Sequence, residues 1–172
     1  MQIRIVLGLL LSGVLGGLGH VRGSLSLSGL CAFVPLGCIL LVGGGWAWFL
    51  TFIFAFPITM ILTAYRHEDK EFLADMIAKS GPRDASQILA NMTILGMVAM
   101  AHMLWPDPVW FAAFLGAGAA SAADTWATEI GVLSKHPRMI LTLKVVSPGT
   151  SGAISGLGIL VVLVASLLVP LF

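Results

Sequence analysis

The stretch Gly116-Ala117-Gly118-Ala119-Ala120-Ser121-Ala122-Ala123-Asp124-Thr125-Trp126-Ala127-Thr128-Glu129-Ile130-Gly131 decides how this chain is read. Its first half is an uncharged run of small residues, and its second half carries two carboxylates. Small residues let helices approach closely in lipid, where packing rather than the hydrophobic effect holds a bundle together. Acids in such a helix are expensive and mark function by default. The competing reading pairs each acid structurally with an Arg or Lys of another helix.

The rest of the chain fits that setting. Its 172 residues are 58% hydrophobic and 10% charged, with a mean hydropathy of +1.01. A soluble domain is about half apolar and about one quarter charged. The fold class is therefore all-α, a polytopic membrane helix bundle forming one integral membrane domain over 1–172. The net charge of +1 says nothing about nucleic acid, and no Lys/Arg-rich run or interleaved aromatic patch suggests such a partner, so none is expected. Cys31 and Cys38 lie seven apart in an apolar segment and read as packing residues, since no CxxC or Cys/His metal spacing is present. The N-terminal apolar run has no clear small-residue cleavage site ahead of a soluble domain, so it reads as a spanning helix.

A spanning helix needs about 20 apolar residues. Six segments approach this: 3–19, 27–42 (with Pro35), 46–65, 84–104, 108–131 and 152–168. Trp46 and Trp48 suit a membrane interface. Between the third and fourth segments, Phe72, Leu73, Met76 and Ile77 recur opposite Asp69, Lys70, Asp75 and Lys79, the pattern of a short amphipathic surface helix. With about six transmembrane helices, alternate loops share a side. One side collects Arg22, Arg66, Lys70, Lys79, Arg83, Lys135, Arg138 and Lys144, and the other only Arg4. The positive-inside rule makes the first side cytoplasmic.

Asp124 then lies roughly 10 Å below that surface, at 1.5 Å of rise per residue. Asp124, Thr128 and Gly131 share one helix face, and Thr125 and Glu129 occupy the adjoining quadrant. Such oxygen donors suit Mg²⁺, which takes one or two carboxylates together with substrate phosphates, so Asp124 and Glu129 are the candidate metal ligands. Arg83, Gln87 and Asn91 recur at i, i+4, i+8 as a polar stripe entering the membrane. Asp84 with Gln87 equally fits a helix capping box. Gly149-Thr150-Ser151-Gly152, with Lys144 upstream, is able to form an anion-binding nest ahead of the last helix. It is also an ordinary turn with Thr150 or Ser151 as helix cap. Lys70 is placed to reach a phosphate from the surface helix, and Lys144 either binds phosphate or anchors at the interface. No Ser-His-Asp arrangement, HExxH or Walker motif appears.

The blocks Arg83-Asp84-Ala85-Ser86-Gln87-Ile88-Leu89-Ala90-Asn91, Asp124-Thr125-Trp126-Ala127-Thr128-Glu129-Ile130-Gly131 and Gly149-Thr150-Ser151-Gly152 resemble the signatures of a known family. It contains plant phytyl-phosphate kinase and transmembrane protein 19, and was long catalogued as a domain of unknown function. The likeness runs from about Arg22 to the C-terminus, and many members are longer than this chain. The resemblance implies phosphorylation of an isoprenoid monophosphate, such as phytyl phosphate, to its diphosphate, in tocopherol and related salvage. More distantly the chain is similar to polyprenol kinases and CDP-lipid synthases, which implies Mg²⁺ as cofactor, CTP or another nucleoside triphosphate as phosphoryl donor, and a site facing the cytoplasm. Asp124, Glu129, Arg83, Gln87, Asn91 and the 149–152 turn are the residues onto which the likeness maps. The implied partners are the isoprenoid-phosphate lipid, the nucleotide and membrane lipids, with a homodimer left open. Two other functions remain: a CTP-dependent lipid-phosphate cytidylyltransferase, and a transporter of a small ion or phosphorylated metabolite. Glycine-interrupted spans and membrane acids suit the transporter, but the polar residues crowd one face instead of forming a path across.

Overall fold

A computed structural model describes residues 1–65 and 81–171. The described residues form a bundle of six helices. They are α1 (Gln2–Val21), α2 (Leu27–Gly43), α3 (Trp46–Ala64), α4 (Ala85–Leu104), α5 (Val109–Gly131) and α6 (Gly156–Leu168). A two-stranded antiparallel hairpin, β1 (Arg138–Met139) with β2 (Ala153–Ile154), stands between α5 and α6, and a 3₁₀ turn (Val169–Leu171) follows α6. The chain is an all-α integral membrane bundle. Three helices are long and apolar enough to cross a bilayer: Gln2–Val21, Trp46–Thr63 and Ala85–Leu104. Leu27–Gly43 and Gly156–Leu171 are apolar but shorter. The 23 residues of α5 are long enough, but their glycine, alanine, serine and acid content dilutes the hydropathy.

Local chemistry sets the helix starts. Ser26 Oγ accepts the Gly29 N–H at 3.0 Å to open α2, and Ser155 Oγ accepts the Gly158 N–H at 3.0 Å to open α6. Each satisfies a backbone donor that a helix start leaves orphaned. Gly45 turns the chain into α3 at φ 83°, a conformation that excludes most side chains.

Two buried clusters hold the bundle. The larger is aromatic: Phe33 packs on Phe52 and Phe56 with ring centroids 4.8 and 4.4 Å apart, and Trp48 stacks on Phe114 at 4.6 Å. The smaller joins Ala119, Ala122, Ala123 and Trp126 of α5 to Ala165 and Val169. The small-residue run thus does what its composition implies, bringing α5 against α6. A Cβ on Gly131 would lie 3.3 Å from Gly158 Cα. Ile3, Val6, Leu10 and Val14 of α1 and Leu160, Leu163 and Leu167 of α6 face outward, as lipid-facing surfaces do.

Some sequence expectations need correction. Trp48 is not interfacial; it is 3% exposed, because its ring is the lid on Phe114. The sixth helix begins at Gly156 instead of residue 152, because Gly152 has φ 78° and residues 153–154 pair with β1. Ser155, not Thr150 or Ser151, is its cap. The surface helix expected over 66–79 lies outside the described residues.

Candidate functional site

The site is built on Arg83, whose backbone is tied down on both sides. Its N–H donates to Ser24 O at 3.0 Å, and its carbonyl accepts from the Ser26 N–H at 3.0 Å and from Ser26 Oγ at 3.2 Å. Gly29 packs directly under that carbonyl, where a Cβ would collide with the oxygen. The next residue, Asp84, closes a reciprocal capping box. Asp84 Oδ1 accepts the Gln87 N–H at 2.9 Å, and Gln87 Oε1 accepts the Asp84 N–H at 3.0 Å. The α1–α2 loop and the start of α4 are thereby locked together.

The Arg83 side chain reaches across to α3 and α5. Its Nη2 lies 3.3 Å from Glu129 Oε1 and 3.1 Å from Thr63 Oγ1. Thr63 Oγ1 is 2.8 Å from the same carboxylate oxygen and 3.0 Å from Thr59 O. A hydroxyl has one proton to donate, and the shorter contact to a charged acceptor takes it. One turn further into the bundle, Trp126 donates its indole N–H to Thr59 Oγ1 at 2.7 Å. The guanidinium and carboxylate are 16% and 20% exposed, so the pair is poorly hydrated. Burial pulls the Arg83 pKa down, and the charge and hydrogen bond of Glu129 oppose that shift. An arginine nonetheless keeps its proton throughout the physiological range.

From Arg83 a cleft of about 90 Å³ runs between α3, α4 and α5. Thr59, Asn91, Ser121 and Thr125 give it polar edges, while Phe52, Phe56, Leu95 and Phe114 make the remainder apolar. Most sequence-derived candidates can now be placed. Arg83, Asn91 and Thr125 line this cleft together. Gln87 is spent on the capping box. Glu129 belongs to the Arg83 pair. Asp124 and Thr128 are exposed, with Thr128 Oγ1 donating to Asp124 O at 2.8 Å.

Five residues along a helix turn through roughly 140°, so the two acids point in different directions and do not converge on one ion. Among the described residues no group of three or more His, Cys, Asp or Glu forms a metal cluster. Asp124 is an exposed carboxylate of α5 that could supply one ligand to Mg²⁺, an ion that takes one or two carboxylates together with substrate phosphates. Lys144 is exposed in the hairpin region, and Gly149, Thr150, Ser151 and Gly152 form its turns. The Thr150 N–H and Oγ1 both donate to Ser147 O, at 3.2 and 2.7 Å. Lys70 lies outside the described residues. Sequence reasoning missed Thr59, Thr63 and the serines that clasp Arg83. A threonine in an apolar helix reads as neutral filler, and only the i, i+4 spacing of Thr59 and Thr63 hinted at a shared face.

Fold and site together define an integral membrane helix bundle with a charged pair at one end and an amphiphilic cleft leading from it. The chain belongs to the family described as Integral membrane protein DUF92, which it matches over residues 10–172. It is 28% identical to Protein PGR of Arabidopsis thaliana over 187 aligned residues, covering 99% of this chain and 64% of that protein. It is likewise 28% identical over 124 residues to an uncharacterized membrane protein of Synechocystis sp., covering 70% of the chain and 48% of the relative. A third similarity, 40% over 60 residues, is to an uncharacterized membrane protein of Methanocaldococcus jannaschii, 34% of the chain and 25% of the relative. The chain therefore spans less than two thirds of the length of each of these relatives. No solved structure matches it.

Proposed function

We propose that this protein is a membrane-embedded prenyl-phosphate kinase that converts an isoprenoid monophosphate, such as phytyl phosphate, to its diphosphate. The observation that carries the reading is the position of Arg83 on the wall of a cleft that is otherwise largely apolar. That is the chemistry of an amphiphile with an anionic head, and a phosphate is what a guanidinium fork recognises best. The family resemblance supplies the reaction. A monophosphate oxygen attacks the terminal phosphorus of a nucleoside triphosphate, the bond to the bridging oxygen breaks, and the nucleoside diphosphate leaves.

Phosphoryl transfer asks a protein mainly for positioning and charge neutralisation. Arg83 binds the lipid phosphate, and Asn91 and Thr125 offer polar contacts beside it. Asp124 would hold Mg²⁺, which would supply charge neutralisation for the phosphates. Lys144 and the 149–152 turn are the candidate contacts for the nucleotide, with CTP the favoured donor by family analogy. The positive-inside asymmetry supports a cytoplasmic orientation for this end of the bundle, where nucleotide is available.

The test is purified protein in lipid with phytyl phosphate, Mg²⁺ and each of the four nucleoside triphosphates. Phytyl diphosphate is the expected product with at least one of them. Its absence with all four would rule the reading out, and a CMP-containing lipid with released pyrophosphate would make the protein a cytidylyltransferase instead.

A further inference from the structure

We infer that Thr63 and Glu129 are positioning residues that hold the Arg83 guanidinium by Nη2 so that its remaining N–H donors meet the lipid phosphate. This rests on the lipid-phosphate reading above and assigns Glu129 a role away from the metal. Arg83 lines the cleft, whereas Thr63 and Glu129 stand outside that lining. They meet the guanidinium through Nη2 alone, at 3.1 and 3.3 Å.

A guanidinium carries five N–H donors in a rigid planar fork. Two sit on Nη2, and the three on Nε and Nη1 have no partner among the described residues. A planar guanidinium held at Nη2 presents its remaining N–H donors in one fixed orientation, each able to make a charge-assisted hydrogen bond to a phosphate oxygen. The backbone is equally constrained, clasped by Ser24 and Ser26 before the helix and capped by Asp84 at its start. The Glu129 carboxylate is already compensated at Oε1 by a cation and a hydroxyl, which leaves it a weak neutraliser for a divalent ion.

The experiment measures KM for phytyl phosphate, kcat and the Mg²⁺ midpoint in the full chain and in Thr63→Val, Thr63→Ser and Glu129→Gln. Thr63→Val should raise KM about tenfold, the scale of one hydrogen bond to a charged group. Thr63→Ser should return KM to within about twofold of the parent, with kcat and the Mg²⁺ midpoint unchanged throughout. Thermal unfolding checks that each variant is folded, and Thr63→Ala reads the same contact should the valine variant not fold. An unchanged KM in a folded Thr63→Val protein overturns the inference. So does a shifted Mg²⁺ midpoint in Glu129→Gln.

If the parent chain turns over with no nucleotide, the kinase reading fails and the positioning role is judged by binding alone. Tryptophan fluorescence then titrates phytyl phosphate into the parent and Thr63→Val proteins. Binding about tenfold weaker in the variant supports the role. Equal affinity, or no binding to the parent, overturns it.

Discussion

Trp126 donates its indole N–H to Thr59 Oγ1 at 2.7 Å, one turn inside the point where Thr63 meets Glu129. These two rungs join α3 to α5, and Thr59 of the inner rung lines the cleft. Trp126 is 2% exposed, so its donor has no access to water if Thr59 is lost. Trp126→Phe should lower stability by about 1–3 kcal/mol, combining a lost buried hydrogen bond with a cavity. Thermal unfolding in detergent measures this, and Thr59→Val should show a smaller loss of the same sign.

The contact of α5 with α6 makes a second expectation. A Cβ on Gly131 would sit 3.3 Å from Gly158 Cα, whereas a Cβ on Gly13 would meet nothing within 4 Å. Gly131→Leu should destabilise the fold by about 2 kcal/mol or more, because two backbones cannot part without opening the small-residue seam. Gly13→Ala should be neutral or mildly stabilising, since alanine is the better helix former. Equal effects of the two substitutions would show that the seam is not tightly packed.

Gly29 tests how far the clasp of Arg83 matters. Its Cα lies against the Arg83 carbonyl, which also accepts from Ser26. Gly29→Ala should force that carbonyl away, lowering stability by about 1–3 kcal/mol and raising KM for the lipid phosphate. A variant with parental unfolding temperature and KM would mean the backbone anchor is dispensable.

The hydropathy of the chain made its bundle legible, and the small-residue run of 116–123 marked a helix that packs closely on its neighbour. Asn91 and Thr125 were legible as polar groups in apolar helices and Arg83 as a cation just ahead of one, and the three share a cleft. Other features were hidden for physical reasons. Gln87 fitted both the polar stripe and the capping box, and only coordinates show that its side chain accepts from Asp84. Asp124 and Glu129 look adjacent on paper, yet five residues separate them by roughly 140° of helix. Beyond its i, i+4 spacing from Thr59, Thr63 carries no sequence signal, because its partner lies 66 positions away. The displaced start of α6 reflects a two-residue strand pairing, too short to leave a periodic pattern.

The ion pair itself is open to a thermodynamic cycle. Arg83 and Glu129 touch at 3.3 Å and are each largely shielded from water. Arg83→Gln, Glu129→Gln and the double variant should give a coupling energy of about 1–2 kcal/mol in unfolding free energy. Glu129→Gln should be the more harmful single change, since it strands the poorly hydrated charge of Arg83. Additive effects would mean that the two groups do not stabilise each other in the folded state.

The most direct measurement follows a γ-labelled nucleoside triphosphate into lipid, comparing the parent chain with Asp124→Asn at equal folded amounts. Asp124 is exposed in the second half of α5, and holding Mg²⁺ against phosphate is the role assigned to it. The expected result is label on the terminal phosphate of phytyl diphosphate in the parent and at least about a hundredfold slower labelling in the variant, the scale of removing a transition-state charge stabiliser. Equal labelling by both proteins, or none by the parent with any nucleotide, would contradict the assignment.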